Sequence, residues 1–192
     1  MKFTQDWFSN SVQNFYAVKN ALGKVERILE IGCFEGRATC WMLANMLSDD
    51  GVIQVIDTFG GGEEHSDLNL SSLRQTFDEN VEEARKETQM VNVLATTSYD
   101  GLGRLITRGE HEYYDFIYVD GSHTTPDVLT DACMAFGLLR KGGIMLFDDY
   151  MWREMPDLLH RPKTAIDFFT IAFANQCTVC MVGYQLAIQK QV

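Results

Sequence analysis

The stretch Arg27 to Thr39, RILEIGCFEGRAT, constrains this chain more than any other part of it. Ile28-Leu29-Glu30-Ile31 reads as the end of a buried strand (about 26–31). Gly32 to Gly36 then make a tight turn with few side chains, and Arg37 to Leu47 reads as the helix that follows. A strand, a glycine turn and a helix in that order aim backbone N–H groups and a positive helix end at the strand's carboxyl edge. Open α/β sheets take nucleotide-like ligands at that edge.

The rest of the chain repeats the alternation. Strand-like runs follow at Val52 to Asp57, 91–95 (VNVLA), Tyr114 to Asp120 and Ile144 to Phe147, and the last stretch reads as a hairpin around Gly183-Tyr184. Helical spacing lies between them, at Ser11 to Leu22, Asn69 to Glu87, Ser98 to Arg108, Thr125 to about Leu139, and Lys163 to Asn175. Thr125 is the expected cap of its helix and Pro126 its first residue, while Lys141-Gly142-Gly143 is the expected stop. The pattern predicts a doubly wound, mainly parallel seven-stranded α/β sheet with a C-terminal antiparallel hairpin, a Rossmann-like architecture. Residues 1–192 are expected to form a single domain in which 1–25 make an N-terminal helical cap.

Two loops stand out as substrate loops. Residues 58–68 hold Gly60-Gly61-Gly62 and then Glu63-Glu64-His65, which suits a mobile lid. Residues 150–162 hold Tyr150, Trp152, Met155, Pro156 and His160, an aromatic-rich acceptor wall or, equally, a Trp packed over the sheet edge.

A net charge of −11 argues against a surface that tracks nucleic-acid phosphates. No window approaches ~18 uninterrupted apolar residues, so no membrane span is expected. The N-terminus lacks the apolar core of a secretory signal. Five scattered cysteines suit reduced thiols and a cytoplasmic location. Cys177 and Cys180 lie in a strand-like run, where residues three apart face opposite ways, so they read as ordinary cysteines rather than a metal pair. The expected partner is a small molecule, and a homodimer is among the assemblies allowed.

A dinucleotide fingerprint starting at Gly32 requires glycines where Phe34 and Arg37 stand, which argues against NAD or FAD. Glu30 places a carboxylate near the turn, suited to a cationic ligand. Asp57 closes strand 2 at the position from which an acid holds ribose hydroxyls. A ligand with a ribose, no phosphate and positive charge meets these demands, and S-adenosylmethionine is one; a turn that only packs strand on helix is the alternative. At the same sheet edge come Asp120-Gly121-Ser122-His123 and Asp148-Asp149-Tyr150. Three carboxylates there repel unless a cation offsets them, and an all-oxygen set suits Mg²⁺, Mn²⁺ or Ca²⁺. The alternative is that Asp148 and Asp149 form a solvated turn and His123 is structural.

The run E-I-G-x-x-x-G with an acid ending strand 2 resembles the class I S-adenosylmethionine-dependent methyltransferases. YDFIYVDGSHTTPDVLTDACMAFGLLRKGGIMLFDDYMW is similar to the metal-dependent O-methyltransferases, in the small single-domain branch that includes the macrocin-type and macrolide-sugar enzymes. Catechol and caffeoyl-coenzyme A methyltransferases are more distant cousins, and the resemblance covers roughly residues 27 to 175. It implies Asp120, Asp148 and Asp149 as ligands of Mg²⁺ or another divalent cation. His123 becomes the general base, with Asp120 beside it as catalytic acid residue. The methyl donor would lie along Glu30, Gly32, Cys33, Phe34, Gly36, Asp57, Thr58, Thr97, Ser98 and Asp120. The implied reaction is O-methylation of a hydroxyl on a small molecule, such as a sugar or natural product. A metal-independent methyltransferase of the same fold, and a non-catalytic S-adenosylmethionine-binding module, are the alternatives.

Overall fold

The computed structural model describes residues 1–62, 65–152, 157 and 160–192. Helix α1 (Val12–Leu22) precedes strand β1 (Arg27–Ile31), helix α2 (Arg37–Asn45) and strand β2 (Val52–Asp57). Helix α3 (Leu73–Ala84), β3 (Met90–Ala95), α4 (Ser98–Thr107) and β4 (Tyr114–Val119) continue the alternation. Then come α5 (Thr125–Leu138), β5 (Leu139–Phe147), α6 (Pro162–Ala172) and the hairpin β6 (Cys177–Val182) and β7 (Leu186–Lys190). The seven strands form one sheet in the order β3-β2-β1-β4-β5-β7-β6. The first five are parallel, and β7 enters antiparallel against β5.

Side chains alternate across each strand, and both faces are covered by helices, so the central strands are apolar throughout rather than on alternate residues. Leu29, Ile31, Ile117 and Val119 face α4, α5 and α6. Ile28, Phe116 and Tyr118 face the other layer, where Phe15 of α1 and Phe77 of α3 close over them. Phe15, Phe77 and Phe116 are each at most 1% exposed, so truncating any one to Ala costs ~3–5 kcal/mol.

Several boundaries differ from the sequence expectation for local reasons. Helix α3 starts at Leu73 rather than Asn69, because Asn69 Oδ1 accepts the N–H of Ser71 and holds a turn instead. The cap of α5 is Thr124, not Thr125; its hydroxyl accepts the N–H of Asp127. Gly142 and Gly143 do not stop that helix. They lie within β5, in its irregular first half, where Gly142 takes φ +75°. Cys177 is buried and Cys180 exposed, as the strand period requires. Among the described residues no helix is long and apolar enough to cross a membrane.

Ahead of α1, residues 1–8 form a strap rather than a helix. Glu35, inside the glycine turn, accepts both the N–H (2.6 Å) and the hydroxyl (2.8 Å) of Thr4. Asn80 of α3 bonds both to Lys2 and to the carbonyl of Glu35. The strap is therefore tied to the turn itself.

In register, Ile31 pairs with Ile56 and Val119, and Val119 with Phe147. The segments that follow β1, β2, β4 and β5 consequently leave the sheet side by side at one edge.

Candidate active site

The glycine turn is shaped by close backbone approach. Gly32 has φ +81°, and a Cβ there would stand 1.8 Å from the carbonyl oxygen of Asp120. Gly36 has φ +80°, and its Cβ would meet the Phe77 ring at 2.8 Å. Phe34 also sits at positive φ (+49°), a conformation that its surroundings must hold. Asp57 supplies that hold: its Oδ2 accepts the N–H groups of Cys33 (2.7 Å) and Phe34 (3.1 Å), and its Oδ1 that of Phe59 (2.6 Å). A carboxylate has about four acceptor positions, so one remains for a further donor.

Glu30 stands one residue inside the end of β1, as the sequence places it. It is fully buried under α2, where Thr39 Oγ1 donates to its Oε2 at 2.6 Å. Its Oε1 is buried and finds no partner among the described residues. Burial, and secondarily the nearby Asp57 charge, push its carboxyl up to about 8. Cys33, also buried, has its thiol pushed well up by desolvation and is an inert wall. Thr58 is exposed and accepts the N–H of Gly60 at 3.1 Å. Thr97 caps α4, accepting the N–H of Asp100 at 3.3 Å, and Ser98 is the first residue of that helix. Both follow β3 beside Asp57, whose carbonyl accepts the N–H of Thr96.

The second half of the site lies after β4 and β5. One oxygen from each of Asp120, Asp148 and Asp149 falls within 4.8 Å of the others. These acids and His123 line a cavity of ≈10 Å³, room for a water or a single ion and for no organic group. Desolvation and then the charges of Asp148 and Asp149 push the Asp120 carboxyl well up. Desolvation and then Asp149 push Asp148 up to about 6. Half-buried carboxyls held this close together repel one another, which favours the protonated form.

Their surroundings are specific. Asp148 accepts the Tyr118 hydroxyl at 2.5 Å and the Gln185 side-chain amide at 2.9 Å. Asp149 has φ +54°, a conformation Asp tolerates better than most residues. Its Oδ2 lies 2.7 Å from His123 Nε2, and its Oδ1 accepts the Tyr184 hydroxyl at 2.7 Å. The His123 ring stacks on Trp152 with centroids 4.5 Å apart.

Sequence reading thus placed the donor turn and the acids at one edge but missed Tyr118, Tyr184 and Gln185. The last two were legible only as turn residues of a hairpin. Of the proposed acceptor wall, Trp152 lies beside the acids, stacked on His123, a contact not anticipated from sequence. Tyr150 is not free to form such a wall: it is buried, and its hydroxyl bonds to Asp167 (2.9 Å) and Lys163 (2.6 Å) of α6. His160 lies 3.4 Å from Asp157. Glu63, Glu64, Met155 and Pro156 lie outside the described residues. On the other side, His65 stacks on Phe34 (5.3 Å, 17°), and Trp7 of the strap leans on both rings. The described part of the 58–68 loop therefore lies against the glycine turn.

A family of methyltransferase domains matches residues 29–150, the span from β1 to the acids after β5, and the chain belongs to it. A probable caffeoyl-CoA O-methyltransferase of Dictyostelium discoideum is 24% identical over 138 residues, which are 72% of this chain and 49% of that protein. The chain thus spans about half the length of that curated relative. Among solved structures, the O-methyltransferase TomG of Streptomyces achromogenes, involved in tomaymycin synthesis and in complex with S-adenosylmethionine, superposes with a TM-score of 0.66. It is 21% identical, with 98% of this chain and 82% of that one covered. An O-methyltransferase from Bacillus cereus, in complex with S-adenosylhomocysteine, gives a TM-score of 0.65 at 21% identity, covering 98% and 84%. At these identities the two structures establish the fold.

Proposed function

We propose that this protein is an S-adenosylmethionine-dependent O-methyltransferase that uses a divalent cation, Mg²⁺ by preference, to methylate a hydroxyl of a small molecule. The observation that carries the reading is the gathering of Asp120, Asp148, Asp149 and His123 on the sheet edge that also holds the glycine turn. The names of the relatives above support oxygen as the atom methylated.

The residues fit both groups. For the cation, the donors are oxygen only, they converge within 4.8 Å, and the cavity they line has the volume of one ion. For the methyl donor, the backbone at Gly32 leaves no room for a side chain. One residue inside the end of β1, Glu30 holds a carboxyl oxygen with no partner among the described residues, which suits a positively charged group. Asp57 keeps one acceptor position for a ribose hydroxyl, with Thr58 beyond it, and Thr97 and Ser98 lie on the adenine side.

Asp120, Asp148 and Asp149 would hold the cation, which supplies Lewis acidity that lowers the pKa of an acceptor hydroxyl. His123 takes the proton of that hydroxyl, and the Asp149 carboxylate beside its Nε2 stabilises the imidazolium that results. The methyl donor, held along the glycine turn, would supply an electrophilic methyl carbon to that oxygen and leave as S-adenosylhomocysteine. Positioning supplies much of the acceleration for such a displacement. Trp152, stacked on His123, offers a flat face beside the reacting oxygen, suited to a sugar or phenolic ring. A net charge of −11 supports a small acceptor over a nucleic acid.

Titration calorimetry of S-adenosylhomocysteine and Mg²⁺ against wild type and Asp148→Ala tests this. Wild type should bind both ligands, and the variant only the first. Turnover on a panel of hydroxylated sugars and phenols should stop with EDTA. Failure of wild type to bind any divalent cation, or turnover indifferent to EDTA, would end the metal-dependent reading.

A further inference from the structure

The turn between β6 and β7 delivers two consecutive side chains to two consecutive acids: Tyr184 to Asp149 and Gln185 to Asp148. Gln185 has no exposed surface. A primary amide has a donor end and an acceptor end, and here its direction is set from outside the site. Asn14 of α1 donates its Nδ2 to Gln185 Oε1 at 2.9 Å. That leaves Gln185 Nε2 pointing the other way, to donate to Asp148 Oδ1 at 2.9 Å. The Asp149 N–H shares Oδ1 with it at 3.0 Å, and the Tyr118 hydroxyl donates to the other oxygen, Oδ2.

We propose that Gln185 and Asn14 are positioning residues for the cation site, a relay from α1 that fixes the rotation of the Asp148 carboxylate; this rests on the metal-dependent reading above. A carboxylate accepting at both oxygens cannot turn about its Cβ–Cγ bond, so its remaining lone pairs keep one direction. Without Gln185, Oδ1 would keep only the N–H of its own chain neighbour Asp149, and repulsion from Asp120 and Asp149 would rotate the group from its place at the cavity. Partners of metal ligands typically change metal affinity by 10–100-fold. Asn14 is placed by the core: its neighbour Phe15 is fully buried and packs edge-on against Tyr118.

The test is titration of Mn²⁺ into the full chain, with S-adenosylhomocysteine affinity and thermal unfolding as controls. Gln185→Leu should raise the Mn²⁺ Kd by ~10–100-fold while leaving S-adenosylhomocysteine affinity within about twofold. Asn14→Asp is the sharper variant. A carboxylate at this position can only accept, so it draws Gln185 Nε2 toward itself and turns Oε1 on Asp148. Mn²⁺ binding should then weaken more than in Asn14→Ala, although Asn14→Asp adds a negative charge that by itself would favour a cation. A purely structural role for Asn14 predicts the opposite order. If Gln185→Leu does not fold, the Asn14 pair decides. Wild type that binds Mn²⁺ together with Gln185→Leu and Asn14→Asp proteins that bind it equally well would overturn the relay alone. Wild type that binds no Mn²⁺ would overturn the relay and the cation reading together.

Discussion

Gly32 and Asp120 are in backbone contact: a Cβ on Gly32 would stand 1.8 Å from the Asp120 carbonyl oxygen. The N–H of Asp120 in turn donates to the carbonyl of Ile31 at 2.8 Å. The turn that would hold the methyl donor and the strand end that would hold the cation are therefore one rigid unit, with no side chain between them.

Gly32→Ala should accordingly strain both halves. The added methyl group meets backbone, which cannot move aside, and φ +81° is unfavourable for Ala. A loss of ~3 kcal/mol or more is expected, a fall of roughly 6–12 °C in Tm for a domain of this size. Gly103→Ala is the matched control: it lies in α4 with nothing within 4 Å of its Cβ position. That change should stabilise by ~0.5–1 kcal/mol. Scanning calorimetry distinguishes the two, and equal melting of Gly32→Ala and wild type would remove the contact from the account.

Glu30 makes stability depend on pH. Its carboxyl is pushed up to about 8 in the fold against 4.5 for the free side chain, so folding takes up a proton between those values. The contribution is complete below about pH 4.5 and is lost as pH rises through 8. Glu30→Gln does not titrate, so its Tm relative to wild type should climb from pH 5 to pH 8. If a cationic part of the donor lies against Glu30, ligand binding near pH 7 should also release up to about one proton. Calorimetry of S-adenosylhomocysteine in buffers of different ionisation enthalpy measures that proton, which Glu30→Gln should not release.

His123→Ala removes the proposed base and the face that stacks on Trp152. Turnover should drop by ~10²–10⁴-fold. S-adenosylhomocysteine affinity should stay within about twofold, because His123 follows β4 whereas the donor turn follows β1. An unchanged rate with a competent acceptor would exclude His123 from proton transfer.

Glu35 ties the N-terminal strap to the glycine turn through Thr4 and is only 6% exposed. Glu35→Ala removes the partner of the Thr4 N–H and hydroxyl, which water can replace at exposed Thr4, so the cost is about 0.5–1.5 kcal/mol. The Thr4 amide should exchange its hydrogen faster, and the emission of Trp7, which leans on Phe34, should shift toward that of solvated indole. Protection of Thr4 equal to wild type would show that the other ties, Asn80 to Lys2 and Arg37 to the Gln5 carbonyl, hold the strap without Glu35.

How far the site could be read from sequence depended on the range of the interaction. The turn at Gly32 to Gly36, the acid Asp57 at a strand end and the runs Asp120 to His123 and Asp148-Asp149 were all visible, because each sits directly after a recognisable strand. Parallel strands then force such residues to one edge. Glu30 was visible as an acid near the turn, but its full burial was not, since that depends on α2 folding back over β1. Tyr150 looked like a wall residue and is instead held by Asp167 and Lys163, a contact created by the packing of α6.

By itself the sequence determined the alternation of strands and helices, the glycine turn and the family to which the chain belongs. Those follow from side-chain period and from backbone conformations open to glycine, both of which act over a few residues. Only the tertiary structure decided which groups clasp the acids. Asn14 meets Gln185 across 171 positions of chain, and Gln185 meets Asp148 across 37. Such pairings arise from the packing of α1 and the closing hairpin on the same sheet, and no local pattern announces them.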